Sequence, residues 1–97
     1  MTKEIILESL TAHKQELFSK YGLLKIGLFG SYARDEQRED SDIDIAIEIQ
    51  KDKKNIHTFL KIKREMENLF GKNVDLGIES TLKPIAREYI NKEIIYV

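Results

Sequence analysis

Apolar residues recurring every three or four positions predict three amphipathic helices, over residues 2–21, 55–70 and 84–91. Residue types that begin or end helices stand at their boundaries: Thr2 and Asn55 as N-caps, Pro84 in a first turn, and Gly22 and Gly71 after last turns. The apolar side of the third helix is formed by Ile85, Tyr89 and Ile90. A short additional helix is predicted for residues 32–36, directly after a Gly-Ser pair.

Apolar runs bounded by turn residues predict three strands, over residues 24–29, 42–49 and 74–78, with residues 94–97 as a fourth. Within the second run, strict alternation places four residues on one side: Ile43, Ile45, Ile47 and Ile49. Strands alternate with helices along the chain, an order typical of layered α/β proteins. We therefore expect an α/β (α+β) domain, with a small mixed sheet of three to four strands flanked by about four helices.

Composition limits the function classes. The chain has 97 residues, 41% of them hydrophobic, which suits one domain spanning residues 1–97 with its own core. It contains no cysteine, so thiol redox chemistry and thiolate metal sites are excluded. A net charge of -1 does not favour direct binding of nucleic acid, and no apolar run is long enough to cross a membrane. A soluble, cytoplasmic protein is expected.

Two alternating carboxylates, Asp42 and Asp44, open the second predicted strand. Residues two apart on a strand project from the same face, roughly 6.6 Å apart, so both side chains approach one volume of space. Like charges this close are unfavourable without a cation, and Mg²⁺ prefers carboxylate and phosphate oxygens. Asp75 is the only acidic residue inside the third predicted strand, which makes it the natural third metal-binding and catalytic carboxylate. Gly77, next on its face, is expected to leave open space there.

Gly30 and Ser31 end the first predicted strand and begin the following turn. Glycine lets the backbone approach a phosphate closely, and free N–H groups at a helix start can bind the anion. The serine hydroxyl adds a further donor. Gly30 and Ser31 are therefore the candidate nucleotide-binding residues, beside the candidate catalytic and metal-binding residues Asp42, Asp44 and Asp75. Glu48 and Glu79, which share the strand alternation, are expected to be solvent-exposed at strand ends.

The pattern Gly30-Ser31-x10-Asp42-x-Asp44, followed by a strand that carries Asp75, resembles the nucleotidyltransferase superfamily related to DNA polymerase β. The short length makes it most similar to the minimal nucleotidyltransferases, over nearly the whole chain. The resemblance implies the nucleotidyltransferase fold, ATP as substrate and two Mg²⁺ ions. It also implies the antitoxin of a toxin–antitoxin pair, whose partner is a HEPN-domain ribonuclease toxin. Such an antitoxin transfers AMP from ATP to a tyrosine hydroxyl of the toxin, and it forms homo- or hetero-oligomers.

One residue departs from that family pattern: Asp35 follows Arg34, where the family usually has glycine. A carboxylate there either weakens nucleotide binding or faces solvent within an acidic loop, and the second interpretation is favoured. Two alternatives to protein adenylyl transfer remain at this point. One is an antitoxin that neutralises its toxin by binding and occlusion alone. The other is a nucleotidyltransferase acting on a small hydroxylated molecule such as an aminoglycoside.

Overall fold

Three α-helices and one four-stranded sheet make up the fold in the computed structural model, which describes all 97 residues. In chain order the elements are α1 (Lys3–Tyr21), β1 (Leu23–Phe29), β2 (Ile43–Ile49), α2 (Ile56–Phe70), β3 (Val74–Ile78), α3 (Pro84–Asn91) and β4 (Ile95–Tyr96). Two single turns of 3-10 helix, Lys51–Lys53 and Glu79–Thr81, lie in the connections. The predicted mixed sheet and three of the predicted helices are confirmed.

Side-chain caps begin α1 and α2 where the sequence predicts them. The Thr2 hydroxyl accepts a hydrogen bond from the Ile5 amide at 3.2 Å, and the Asn55 side chain accepts one from the Thr58 amide at 3.0 Å. Both helices end at a glycine in the left-handed conformation. None of the helices is long and apolar enough to span a membrane.

The strand order β3-β2-β1-β4 places all the predicted site residues at one end of the sheet. β2 runs parallel to β3 and antiparallel to β1, and β1 is antiparallel to β4. Because of these directions, the end of β1 lies beside the start of β2, and the start of β2 lies beside the start of β3. Phe29 is in register with Asp44, and Asp44 is in register with Asp75.

The hydrophobic core lies on one face of the sheet, between the strands and helices α1 and α2. The alternating isoleucines of β2 are fully or almost fully buried there, as predicted. Helix α1 contributes Ile6, Leu10 and Leu17 to the same cluster, and α2 contributes Ile62, Met66 and Phe70. The other face of the sheet carries the site residues and is partly covered by the chain that follows β3.

Two local predictions are wrong. Residues 32–36 form a series of turns rather than a helix, because Asp35 takes a left-handed backbone conformation (φ 57°) after only one helical hydrogen bond, from the Arg34 amide to the Gly30 carbonyl. On α3, most of the predicted apolar side is not packed. Ile85 is 78% exposed and Tyr89 is 68% exposed, and only Ile90 is half-buried.

Candidate active site

A pair of carboxyl groups, Asp44 on β2 and Asp75 on β3, forms the centre of the candidate site. The two residues are direct neighbours across the parallel strands, so their side chains project side by side from one face of the sheet. Burial raises the pKa of Asp44 to about 6, and the adjacent Asp75 charge adds to the increase. A carboxyl group that holds its proton this tightly is one whose negative charge lacks compensation within the protein.

Asp42 lies just outside the strand, one residue before β2 begins. It is exposed, and its charge also contributes to the raised pKa of Asp44. No three carboxylate or imidazole groups are gathered closely enough to form a complete metal cage. The structure therefore brings Asp44 and Asp75 together and places Asp42 at the rim of that pair.

The turn at Gly30 lies directly against Asp44. Gly30 has a φ of 77°, and a Cβ added to it would overlap the Asp44 Oδ2 atom and lie 2.8 Å from its Cγ. Any side chain at this position would therefore be strained and would push the carboxylate away. Ser31 follows, half-buried, with its carbonyl accepting the Glu36 amide at 2.8 Å. The predicted nucleotide-binding pair thus adjoins the predicted carboxylates.

Asp35 occupies the position where the family pattern has glycine, and its positive φ explains that preference. Aspartate is one of the few other residues that adopt the left-handed conformation at modest cost. Its side chain is 57% exposed and forms an ion pair with Lys3 at 3.1 Å. The expectation that this carboxylate faces solvent agrees with that exposure.

Arg34 is held beside the site by two glutamates. Its Nη1 donates to Glu93 Oε2 at 2.8 Å, and its Nε donates to Glu36 Oε1 at 3.2 Å. The other Glu93 oxygen, Oε1, accepts the Gly30 amide at 3.1 Å. The sequence gives no signal for Glu93, because it is 63 residues from Gly30 and lies in no regular pattern with it.

A cleft with a volume of about 460 Å³ opens next to Asp42. It lies between the loop that precedes β2 and the loop that joins α2 to β3. Its lining is entirely polar: Asp40, Ser41, Asp42, Glu67, Gly71, Lys72 and Asn73. The candidate site is therefore open to solvent on the Asp42 side, where a charged ligand could enter.

Gly77 adjoins open space: an added Cβ would make only an ordinary contact of 3.6 Å with Leu82 Cδ2, and Gly77 lines a cavity of about 370 Å³. Another prediction about this face is wrong. Glu48 and Glu79 are 19% and 17% exposed rather than open to solvent. Lys54 and the Ser80 amide bind Glu48, while Lys25 and the Tyr96 hydroxyl bind Glu79, so both act as structural anchors.

Comparison with known proteins places this geometry in a family. Residues 13–97 match the model of the family "Polymerase beta, Nucleotidyltransferase". The protein adenylyltransferase MntA of Thermococcus cleftensis is 39% identical over 97 residues, an alignment that covers 100% of this chain and 97% of that relative. A candidate protein adenylyltransferase of Methanocaldococcus jannaschii is 41% identical over 96 residues, covering 95% of this chain and 94% of the relative.

Solved structures show the same fold. The structure of a candidate minimal nucleotidyltransferase superposes with a TM-score of 0.82 at 32% identity, covering 98% of this chain and 95% of that one. A crystal structure of a toxin–antitoxin with AMP-PNP superposes with a TM-score of 0.71 at 21% identity, covering 99% of this chain and 72% of the other.

Proposed function

Because this chain belongs to the polymerase β nucleotidyltransferase family, we propose that it is a Mg²⁺-dependent protein adenylyltransferase that neutralises a toxin. In this proposal it transfers AMP from ATP to a hydroxyl group, that of a tyrosine, on a HEPN-domain ribonuclease toxin. The observation that carries the proposal is the Asp44–Asp75 carboxyl pair, packed against the Gly30 turn. The relative named protein adenylyltransferase MntA supports the reaction class.

The reaction joins an acceptor hydroxyl to the α-phosphorus of ATP. A bond forms from the hydroxyl oxygen to phosphorus, the bond from phosphorus to the β-phosphate bridging oxygen breaks, and pyrophosphate leaves. The hydroxyl proton must be removed as the new bond forms, and Asp75 is the candidate acceptor for it. Its carboxylate is exposed at the outer strand of the sheet, where an incoming side chain can reach it.

The donor set suits divalent cations. Asp44 and Asp75 are close carboxylates whose repulsion, together with burial, keeps a proton on Asp44 up to a pKa of about 6. A divalent cation would relieve the same repulsion, and hard oxygen donors of this kind are those Mg²⁺ prefers. Asp42 and Asp44 would hold both ions, and Asp75 would bind the one nearer the acceptor. When bound, Mg²⁺ would neutralise phosphate charge and favour the ionised hydroxyl.

Asp35 no longer favours an antitoxin that acts by occlusion alone. Its side chain pairs with Lys3, and its backbone conformation is one that aspartate tolerates. Catalytic neutralisation is therefore the single function proposed here. The toxin–antitoxin structure with AMP-PNP shares the fold of this chain.

The test is a transfer assay with α-phosphate-labelled ATP, Mg²⁺ and the toxin encoded by the neighbouring gene. We expect label on the toxin with the wild-type chain and none with the Asp42→Ala, Asp44→Ala double variant. Asp52→Ala, an exposed aspartate in the turn after β2, is the matched control and should label like wild type. Equal labelling by the double variant, or no labelling by wild type, would refute the proposal.

A variant that cannot label the toxin but still binds it separates chemistry from binding. Toxin toxicity in cells should return when the double variant replaces wild type, while a pull-down still recovers the complex. Protection of the cells by the double variant would instead establish occlusion as the mechanism.

A further inference from the structure

Glu93 connects the Gly30 turn to Arg34 from outside the sheet. It lies in the short segment between α3 and β4, and its side chain is only 17% exposed. One carboxylate oxygen accepts the Gly30 amide at 3.1 Å, and the other accepts Arg34 Nη1 at 2.8 Å. The carboxylate therefore fixes the arginine relative to the backbone that supports Asp44.

The bridge leaves most of the guanidinium available. Arginine has five N–H donors, and Arg34 uses one for Glu93 and one for Glu36. The Arg34 side chain is still 40% exposed. Through Glu93, the guanidinium is held next to the Gly30 turn, which packs against Asp44. The free guanidinium donors of Arg34 therefore lie beside the candidate metal site.

We propose that Glu93 is a positioning residue for nucleotide binding: it holds Arg34 so that the remaining guanidinium donors bind the triphosphate. This inference depends on the proposed function, because it assumes that a triphosphate occupies the site. Arginine loses considerable side-chain entropy when it is fixed, and Glu93 has already fixed it in the free protein. Phosphate oxygens then bind donors that are already in position. Such preorganised groups increase affinity, because less entropy is lost on binding.

An opposite role for Glu93 would be competition, with its carboxylate occupying donors that phosphate needs. The contacts argue against competition. Phosphate has three free guanidinium donors to use without displacing Glu93. The two roles predict opposite changes in nucleotide affinity when Glu93 is removed. Removing a competitor tightens binding, and removing a positioning residue weakens it.

The experiment is calorimetric titration of a Mg²⁺-bound ATP analogue that cannot be cleaved at the α–β bridge. Wild type, Glu93→Gln, Arg34→Ala and the double variant form a double-mutant cycle. We expect Glu93→Gln to weaken nucleotide binding by about tenfold. This is roughly the effect of having to restrict one additional long side chain when the nucleotide binds. In the Arg34→Ala background the same change should have no further effect.

Glu79→Gln is the matched control. Glu79 is equally buried, at 17% exposed; it accepts a hydrogen bond from the Tyr96 hydroxyl and pairs with Lys25 at the far end of the same sheet face. It should lower the melting temperature without changing the affinity for the nucleotide. If Glu93→Gln does not fold, Glu93→Asp retains the charge with a shorter reach and should weaken binding to an intermediate extent.

Each outcome supports or refutes the positioning role of Glu93. Tighter binding by Glu93→Gln would establish competition, and additive losses in the cycle would show a purely structural role; both overturn the inference. Nucleotide binding with the expected cycle, but without transfer to the toxin, would leave the positioning role intact and refute the proposed function. A wild-type chain that binds no nucleotide would refute both.

Discussion

The α-carbon of Gly30 lies against the carboxylate of Asp44, so that no side chain can be placed at position 30 without displacing the candidate catalytic group. The contact arises because β1 ends in register with the start of β2 and then turns with a positive φ. One residue thereby forms the phosphate-side turn and supports the metal-side carboxylate. The Gly30 turn and the Asp44 carboxylate, the two halves of the predicted site, are consequently packed directly against each other.

Gly30→Ala should destabilise the fold and abolish transfer. The positive φ costs an alanine about 1–2 kcal/mol, and overlap with Asp44 adds about 1–3 kcal/mol. Urea unfolding measures the loss, with Gly71→Ala as the control. Gly71 has a φ of 65° and nothing within 4 Å of an added Cβ, so it should lose only the conformational part.

Removing the carboxylate tests the cause of that difference. In an Asp44→Ala background, the cost of Gly30→Ala should fall toward that of Gly71→Ala, because the overlapping oxygen is gone. An unchanged cost would mean that the backbone alone, and not the contact with Asp44, requires glycine at this position.

Asp35→Gly should leave nucleotide affinity and transfer within about twofold of wild type, since an exposed charge is strongly screened by water and salt. Asp35→Asn is the matched variant, because asparagine keeps the tolerance for a positive φ and loses only the charge. Titration with the ATP analogue measures both. A parallel tightening in the two variants would show that this carboxylate opposes nucleotide binding.

Periodicity and capping residues were enough to predict most of the fold. The α2 boundaries follow from Asn55 and Gly71, and β3 begins and ends where Val74 and Ile78 suggest, since these signals are local in the chain. The turns over residues 32–36 could not be predicted from periodicity. They depend on the single left-handed residue Asp35, whose conformation a helix-like composition does not reveal.

The candidate site, too, could be predicted only in part. Alternation along β2 and β3 predicted which face carries Asp44 and Asp75, and the register of the sheet brings them together. The contacts of Glu93 and the position of Leu82 beside Gly77 depend on how the chain after β3 folds back over the sheet. Such contacts between distant segments have no periodic signature, so they could be found only in the structure.

Glu48→Gln should destabilise the chain by about 1 kcal/mol at neutral pH, after allowance for solvent screening of a partly exposed pair. Burial opposes ionisation of Glu48, but hydrogen bonds from Lys54 and Ser80 outweigh it and lower the pKa to about 2 from 4.5. A lowered carboxyl pKa contributes stability that is complete above pH 4.5 and is lost as the pH falls toward 2.

Unfolding curves at several pH values test this assignment. The difference between wild type and Glu48→Gln should be constant from pH 6 to 8 and should shrink below pH 4.5. Glu16→Gln, which removes an exposed pair with Lys20 on α1, is the control and should change the stability much less. If the difference in stability between the two proteins stays constant as the pH falls toward 2, the ion pair is not its source.

Asp44→Asn should stabilise the metal-free chain at neutral pH. The folded state holds the Asp44 proton up to a pKa of about 6, against 3.8 as the ordinary value, so it binds more protons than the unfolded state between these values. Stability therefore falls as the pH rises through this window, and the full cost is present above it. Screening at a half-buried site reduces that cost to about 1–2 kcal/mol.

The stabilisation should vanish as the pH falls below 3.8, where Asp44 becomes protonated in both states. Added Mg²⁺ should then raise the melting temperature of wild type more than that of Asp44→Asn, because binding to the folded state alone adds stability. A carboxyl pair that costs stability when empty and regains it with a cation is one whose arrangement serves binding rather than folding. Equal responses of the two proteins to Mg²⁺ would contradict a metal-binding role for Asp44.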